Sequence, residues 1–191
     1  IVMAVALPRA ALESAPSFEY SASYWSANHE LDRIAFRVAK FLEGNGHRAV
    51  QIPASSPHDV RHMTGHLSHK HAVELAGLGV FGKNSLLLSP EYGSRMRMVS
   101  VITDADLASN KRLEADFCSD CDKCIRACPA KALKGNRRVD KKACDDREFR
   151  IGQKFDPSGG NSPAASAYEC AQSAAAIEPL IENDKYMSGY A

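Results

Sequence analysis

Cys118-Ser119-Asp120-Cys121-Asp122-Lys123-Cys124-Ile125-Arg126-Ala127-Cys128-Pro129 is the stretch that divides this chain and decides how the rest is read. Four of the six cysteines fall within it, at spacings of three, three and four residues. Cysteines this near to one another would close only tiny disulfide loops, whereas thiolates two residues apart on a tight loop can converge on one cubane. Structural zinc is the rival, but it rarely needs a fourth Cys followed by Pro. The spacing therefore predicts a 4Fe-4S cluster on Cys118, Cys121 and Cys124, with electron transfer as its business. It also implies a reducing compartment, which points to the cytoplasm.

Cys128 is the more delicate ligand. In two-cluster ferredoxins the fourth Cys of such a run serves the other cluster, and only Cys144 and Cys170 remain to join it. Two fully thiolate-ligated clusters need eight cysteines. Either each of two clusters takes three cysteines and one other ligand, or Cys170 completes a single cluster and Cys128 and Cys144 are spare.

Upstream the texture is that of an α/β domain. Ile1 to Leu7 is nearly continuously apolar, as expected of a strand covered on both faces, and Pro8 ends it. Between Ser26 and Glu43, residues Leu31, Ile34, Ala35, Val38, Phe41 and Leu42 recur at helical spacing, with Gly44 as the C-cap. Further elements are expected at Ala49 to Ile52 (strand), Ser68 to Ala76 (helix), Ser85 to Leu88 (strand) and Met96 to Thr103 (strand), with a turn at Ser89-Pro90-Glu91-Tyr92-Gly93. Downstream, Phe155 to Pro163 collects Pro, Gly, Ser and Asn and reads as a loop, and Ala164 to Glu182 reads as an Ala-rich helix. Two units are expected, residues 1–114 and 115–191. The chain opens without Met in what reads as the middle of a fold, so the first unit is expected to lack its N-terminus.

Composition excludes several classes. With 191 residues, 45% of them hydrophobic and 25% charged, the chain can bury one sizeable core and carry a small second module. A net charge of +1 gives no global handle for nucleic acid or anionic membrane. No stretch approaches the roughly 20 consecutive apolar residues of a spanning helix, and the opening strand has none of the flanks of a signal peptide.

A glycine-rich turn, Ala76-Gly77-Leu78-Gly79-Val80-Phe81-Gly82-Lys83-Asn84, lies between a helix and a strand. Its Lys is not followed by Ser or Thr, so it is not a phosphate-binding P-loop. Tight backbone geometry and a cofactor-facing loop both explain it.

Taken together, Ala76 to Asn84, Leu86 to Arg95, Val101 to Asp104 and the Cys118 run resemble the epoxyqueuosine reductases and reductive dehalogenases. The resemblance covers most of the chain, as far as Cys144 and more loosely Cys170. It implies a nitroreductase-like α/β domain that holds a corrinoid, here cobalamin, and a C-terminal ferredoxin-like module with two 4Fe-4S clusters. By resemblance Gly77, Gly79, Gly82, Lys83, Asn84 and Ser89 are the corrinoid-binding candidates. An external donor of the ferredoxin or flavodoxin type would supply electrons for the reduction of a small-molecule substrate.

The sequence departs from the family in three places. Epoxyqueuosine reductases carry an acidic proton donor a little more than a dozen residues before the glycine turn, where this chain reads Arg61-His62-Met63-Thr64-Gly65-His66. The helical repeats that help them bind tRNA have no counterpart before Ala191, so tRNA is not expected as a partner. Of the second family motif, Cys-x-x-Cys-x-x-x-Cys-Pro, only Cys170 survives.

Two further groups have rival readings. His58, His62 and His66 share a helical spacing, but Pro57 and Gly65 flank or interrupt it. His66, His69 and His71 are candidates for a proton donor, because His titrates near neutral pH. Lys131 to Arg150 carries eight basic and four acidic residues, either a solvated loop, a counter-charge for the cluster or an RNA-binding face without interleaved aromatics.

Overall fold

The computed structural model describes residues 1–15, 17–55 and 65–144. Its elements are β1 (Val2–Ala6), α1 (Arg9–Glu13), α2 (Phe18–Gly44), β2 (Ala49–Ile52), α3 (His69–Leu75), β3 (Val80–Phe81), β4 (Leu87–Leu88), β5 (Met96–Thr103) and α4 (Lys123–Ala127). Strands β1, β5 and β2 form an antiparallel sheet in that order, with Val2 opposite Ser100 and Val50 opposite Ile102. β3 and β4 form a separate two-stranded hairpin.

α2 lies on one face of the sheet because its apolar positions repeat at helical intervals. Leu31, Ala35, Ala39 and Leu42 are buried against Val99 and Val101, whose odd-numbered positions on β5 face the helix. Ser17 caps the helix by accepting a hydrogen bond from the Tyr20 N–H at 3.1 Å, and Glu19 stands in the first turn, where a negative charge suits the helix dipole. The helix is eight residues longer at its start than periodicity alone indicated. At its end Gly44 is the last helical residue, Asn45 is the cap, and Gly46, at φ +86°, makes the left-handed turn.

The opposite face is covered by α3 and the hairpin. Met96 on β5 packs with Val73 and Leu87 there, flanked by Val2, Phe81 and Met98. β1 does not behave as a strand buried on both faces. It is an edge strand of mixed burial, paired only with β5 among the described residues, and its continuous apolar run serves both the α2 core through Met3 and Val5 and the α3 core through Val2. Pro8, read as the end of the strand, is also the N-cap residue of α1, a helix too short to show a period.

His69 pins the sheet to the segment after β2. Its Nε2 lies 2.9 Å from the Pro53 carbonyl and its Nδ1 2.8 Å from the Ser100 hydroxyl. A carbonyl only accepts, so Nε2 carries the proton and donates. Both ring nitrogens are therefore engaged by the fold. His71 is exposed, with Nδ1 2.7 Å from the Ser68 hydroxyl and its ring 4.8 Å from that of Phe81. His58, His62, the loop from Phe155 and the helix from Ala164 lie outside the described residues.

Candidate metal centre

The glycine turn begins as the C-terminus of α3. Gly77, at φ +79°, follows the cap residue Ala76, and the Leu78 N–H donates to the Val73 carbonyl at 3.2 Å. A side chain on Gly77 would drive its Cβ to within 2.1 Å of the Lys111 carbonyl, so the segment leading to the cysteines crosses directly over this glycine. A Cβ on Gly79 would meet the Leu88 carbonyl at 2.5 Å, and one on Gly82 would meet Asn84 Oδ1 at 2.7 Å and Leu88 Cδ1 at 2.8 Å. The chain itself fills the space that all three glycines leave.

The polar residues of the turn are similarly engaged. Buried Asn84 accepts from the Leu86 N–H at 3.1 Å, which helps hold Ser85 at its unusual φ of +65°. Buried Ser89 accepts from the N–H groups of Glu91 and Tyr92 at 3.2 and 3.4 Å. A corrinoid would meet the three glycine spaces already filled and the Asn84 and Ser89 oxygens already accepting. An open depression of about 360 Å³ on the sheet face, lined in part by Leu67, Ala72, Ile102 and Leu107, is at the small end for ligand pockets and involves none of the six candidates.

Lys83 behaves differently. It stands at the tip of the β3–β4 hairpin and reaches out to the cysteine loop, where Nζ donates to the Ser119 carbonyl and to Asp122 Oδ1, both at 3.1 Å. Its ammonium pKa is raised, chiefly by the Asp122 hydrogen bond and also by the nearby Cys118 and Cys121.

The cysteine loop is shaped by its own backbone. The Cys118 N–H donates to Asp116 Oδ1 at 2.9 Å, the Cys121 N–H to the Cys118 carbonyl at 3.3 Å, and α4 then carries Cys124. Cys118, Cys121, Cys124, Cys128 and Cys144 are half-buried, and none is bridged to another described cysteine. Partial burial, followed by the charges of Cys118 and Cys121, pushes the Cys124 thiol up, so the three cysteines sense one another. Among the described residues no group of three or more His, Cys, Asp or Glu side chains is arranged to hold a single metal ion. Soft, unbridged thiols on one short loop are the donor type that a cluster uses, each thiolate taking a different iron.

Beyond α4 the chain turns back. The Ala132 N–H donates to Cys128 Sγ at 3.4 Å, and the Ala132 carbonyl accepts from the Asp140 N–H at 2.9 Å. Asp140 in turn accepts from the N–H groups of Ala143 and Cys144. Cys128 and Cys144 are thereby joined through two intermediate residues, a link that no spacing rule announced. Cys170 lies outside the described residues.

No protein-family profile matches the chain. A tetrachloroethene reductive dehalogenase of Dehalobacter restrictus is 36% identical over 126 residues, which is 64% of this chain and 21% of that protein. An epoxyqueuosine reductase of Listeria monocytogenes is 38% identical over 81 residues, 42% of this chain and 21% of that protein. The chain is thus similar to members of the epoxyqueuosine reductase and reductive dehalogenase superfamily, the resemblance its motifs carried. It spans about a fifth of the length of these curated relatives.

Solved members of the superfamily share the mixed helix and strand fold. A reductive dehalogenase whose structure suggests a mechanism for B12-dependent dehalogenation superposes with a TM-score of 0.64 at 20% identity, covering 97% of this chain and 30% of that one. An epoxyqueuosine reductase with an epoxyqueuosine-modified tRNA stem loop superposes with a TM-score of 0.59 at 23% identity, covering 80% and 40%. The second neighbour lends no support to the expectation that tRNA is not a partner. Among the described residues no helix is long and apolar enough to cross a membrane.

Proposed function

We propose that this chain is the electron-delivering part of an iron-sulfur oxidoreductase, in which Cys118, Cys121 and Cys124 hold a 4Fe-4S cluster fed by an external donor of the ferredoxin or flavodoxin type. The observation that carries this reading is the run of unbridged thiols on one loop, tied by Lys83 to the glycine turn of the α/β layer. When bound, such a cluster supplies one-electron transfer at a potential set by charge, hydrogen bonds and exposure. The protein's own part is to hold thiolates at fixed spacing, to aim the Ala132 N–H at the Cys128 sulfur and to bring the cysteine loop beside the β3–β4 hairpin.

The nitroreductase-like and ferredoxin-like units, the corrinoid and the reduced small-molecule substrate come to this chain from its relatives, and belong to the same proposal. The relatives are named as reductases, and one solved structure bears on B12-dependent dehalogenation. In the glycine turn the chain itself fills the glycine spaces, and the Asn84 and Ser89 oxygens already accept backbone hydrogen bonds.

The same occupancy favours a second reading, a ferredoxin-like carrier or corrinoid-handling protein that serves a corrinoid held elsewhere. Anaerobic purification followed by iron and sulfide analysis, with and without added cobalamin, separates the readings. Broad visible absorption that bleaches with dithionite supports the cluster, and colourless protein with stoichiometric zinc overturns it. Cluster-loaded protein that binds no cobalamin by calorimetry favours the carrier.

A further inference from the structure

We propose that Lys83 is a positioning residue that raises the reduction potential of the cluster on Cys118, Cys121 and Cys124. This inference rests on the cluster reading above and assigns Lys83 to the cluster rather than to a corrinoid.

The geometry is specific. Lys83 is 36 positions from Ser119 in sequence, yet its ammonium meets both the Ser119 carbonyl and the Asp122 carboxylate at 3.1 Å. Those two acceptors flank Cys121, so the cation sits within the ligand loop. The Lys83 side chain is 23% exposed, against 59% for Asp122, which leaves the cation less screened by water than its counter-ion. Its neighbours on the loop are mixed in sign, with Asp116, Asp120 and Asp122 against Lys123. Lys83 adds a positive group delivered from another element, the β3–β4 hairpin.

A cluster with four thiolates is anionic, and its reduction adds one electron from the donor without forming or breaking a covalent bond or moving a proton. A fixed cation close by favours the more negative, reduced state. A latch that only tethered the loop would hold the cluster in place without moving its potential.

The test is spectroelectrochemical titration of anaerobically reconstituted wild type, Lys83→Met, Lys83→Arg and Asp122→Asn, each with its iron content measured. In Lys83→Met the reduced state is expected to lose about tenfold in relative stability, a fall of about 59 mV for a one-electron couple. Lys83→Arg restores most of the wild-type potential. Asp122→Asn, which removes the opposing charge and keeps Lys83, moves the potential upward.

An unchanged potential in iron-loaded Lys83→Met overturns the inference and leaves the cluster reading standing. Should Lys83→Met fail to retain iron, Asp122→Asn decides, since an unmoved potential there overturns the inference equally. Wild-type protein that takes up no iron sinks the cluster reading itself, and this inference with it.

Discussion

Residues 1–103 and residues 116–144 are held together by different means. The first region has apolar cores on both sides of its sheet, Leu31, Ala35, Val99 and Val101 on one and Val73, Leu87 and Met96 on the other. In the second region Ala132 is the one buried residue, and hydrogen bonds between loop backbone, Asp116, Asp140 and Cys128 supply its order. A segment this poor in buried apolar area cannot offset the conformational entropy of folding by itself. On the proposed cluster reading, its thiols would gain from a metal group what the sheet gains from its cores, as small metal-dependent modules do.

Metal removal puts that difference under the greatest strain. Chelation of anaerobically loaded protein is expected to abolish amide-exchange protection across residues 118–144 while leaving β5 protected, and equal loss in both regions would erase the contrast. Cys121→Ala should remove about four irons per chain, the content of one cubane. Cys144→Ala sharpens the point. Loss of a further portion of iron supports a second site built on Cys128 and Cys144, whereas unchanged iron means that the Ala132–Asp140 link joins two spare thiols.

In the sheet region the expected effects are energetic and independent of iron. Leu31→Ala should destabilise the protein by about 2–5 kcal/mol, because it leaves a cavity in a fully buried site. Gly79→Ala should cost about 1–3 kcal/mol through the clash with the Leu88 carbonyl. Denaturant titration of apo and loaded protein checks both. If Gly79→Ala lost no stability and only weakened cobalamin binding, the turn would be a cofactor loop and not a packing device.

The smallest effect is expected at the sheet's exposed end. Arg48 donates to Asp104 from Nε at 2.8 Å and from its backbone N–H at 2.8 Å, and these bonds hold the Asp104 carboxyl below its ordinary value of 3.8. A folded-state value that is depressed means stability present above the ordinary value and lost as pH falls through the lowered one. The pair is exposed, so its contribution is slight. Wild type should therefore unfold at a slightly higher temperature than Asp104→Asn near neutral pH, with the gap closing in strong acid.

Much of the fold was legible because it is written locally. β2 and β5 run over the residues expected for them, and α3 differs by one residue at each end. α1 and α4 escaped because five residues show no periodicity. The early start of α2 escaped because its first turns, from Phe18, carry exposed aromatic and polar residues together with Tyr20, which packs with Leu7 and Leu12 rather than on the sheet.

By itself the sequence determined the thiolate spacing of Cys118, Cys121 and Cys124, the polarity of α2 and the strand that becomes the centre of the sheet, since each is encoded within a few neighbouring residues. Only the tertiary structure decided that β1 and β2 flank β5 antiparallel, that Lys111 and Leu88 fill the spaces of Gly77 and Gly79, and that Lys83 reaches the cysteine loop. Those outcomes depend on segments far apart in the chain. A glycine in a sequence says that room is needed, and the fold alone says which atom takes the room.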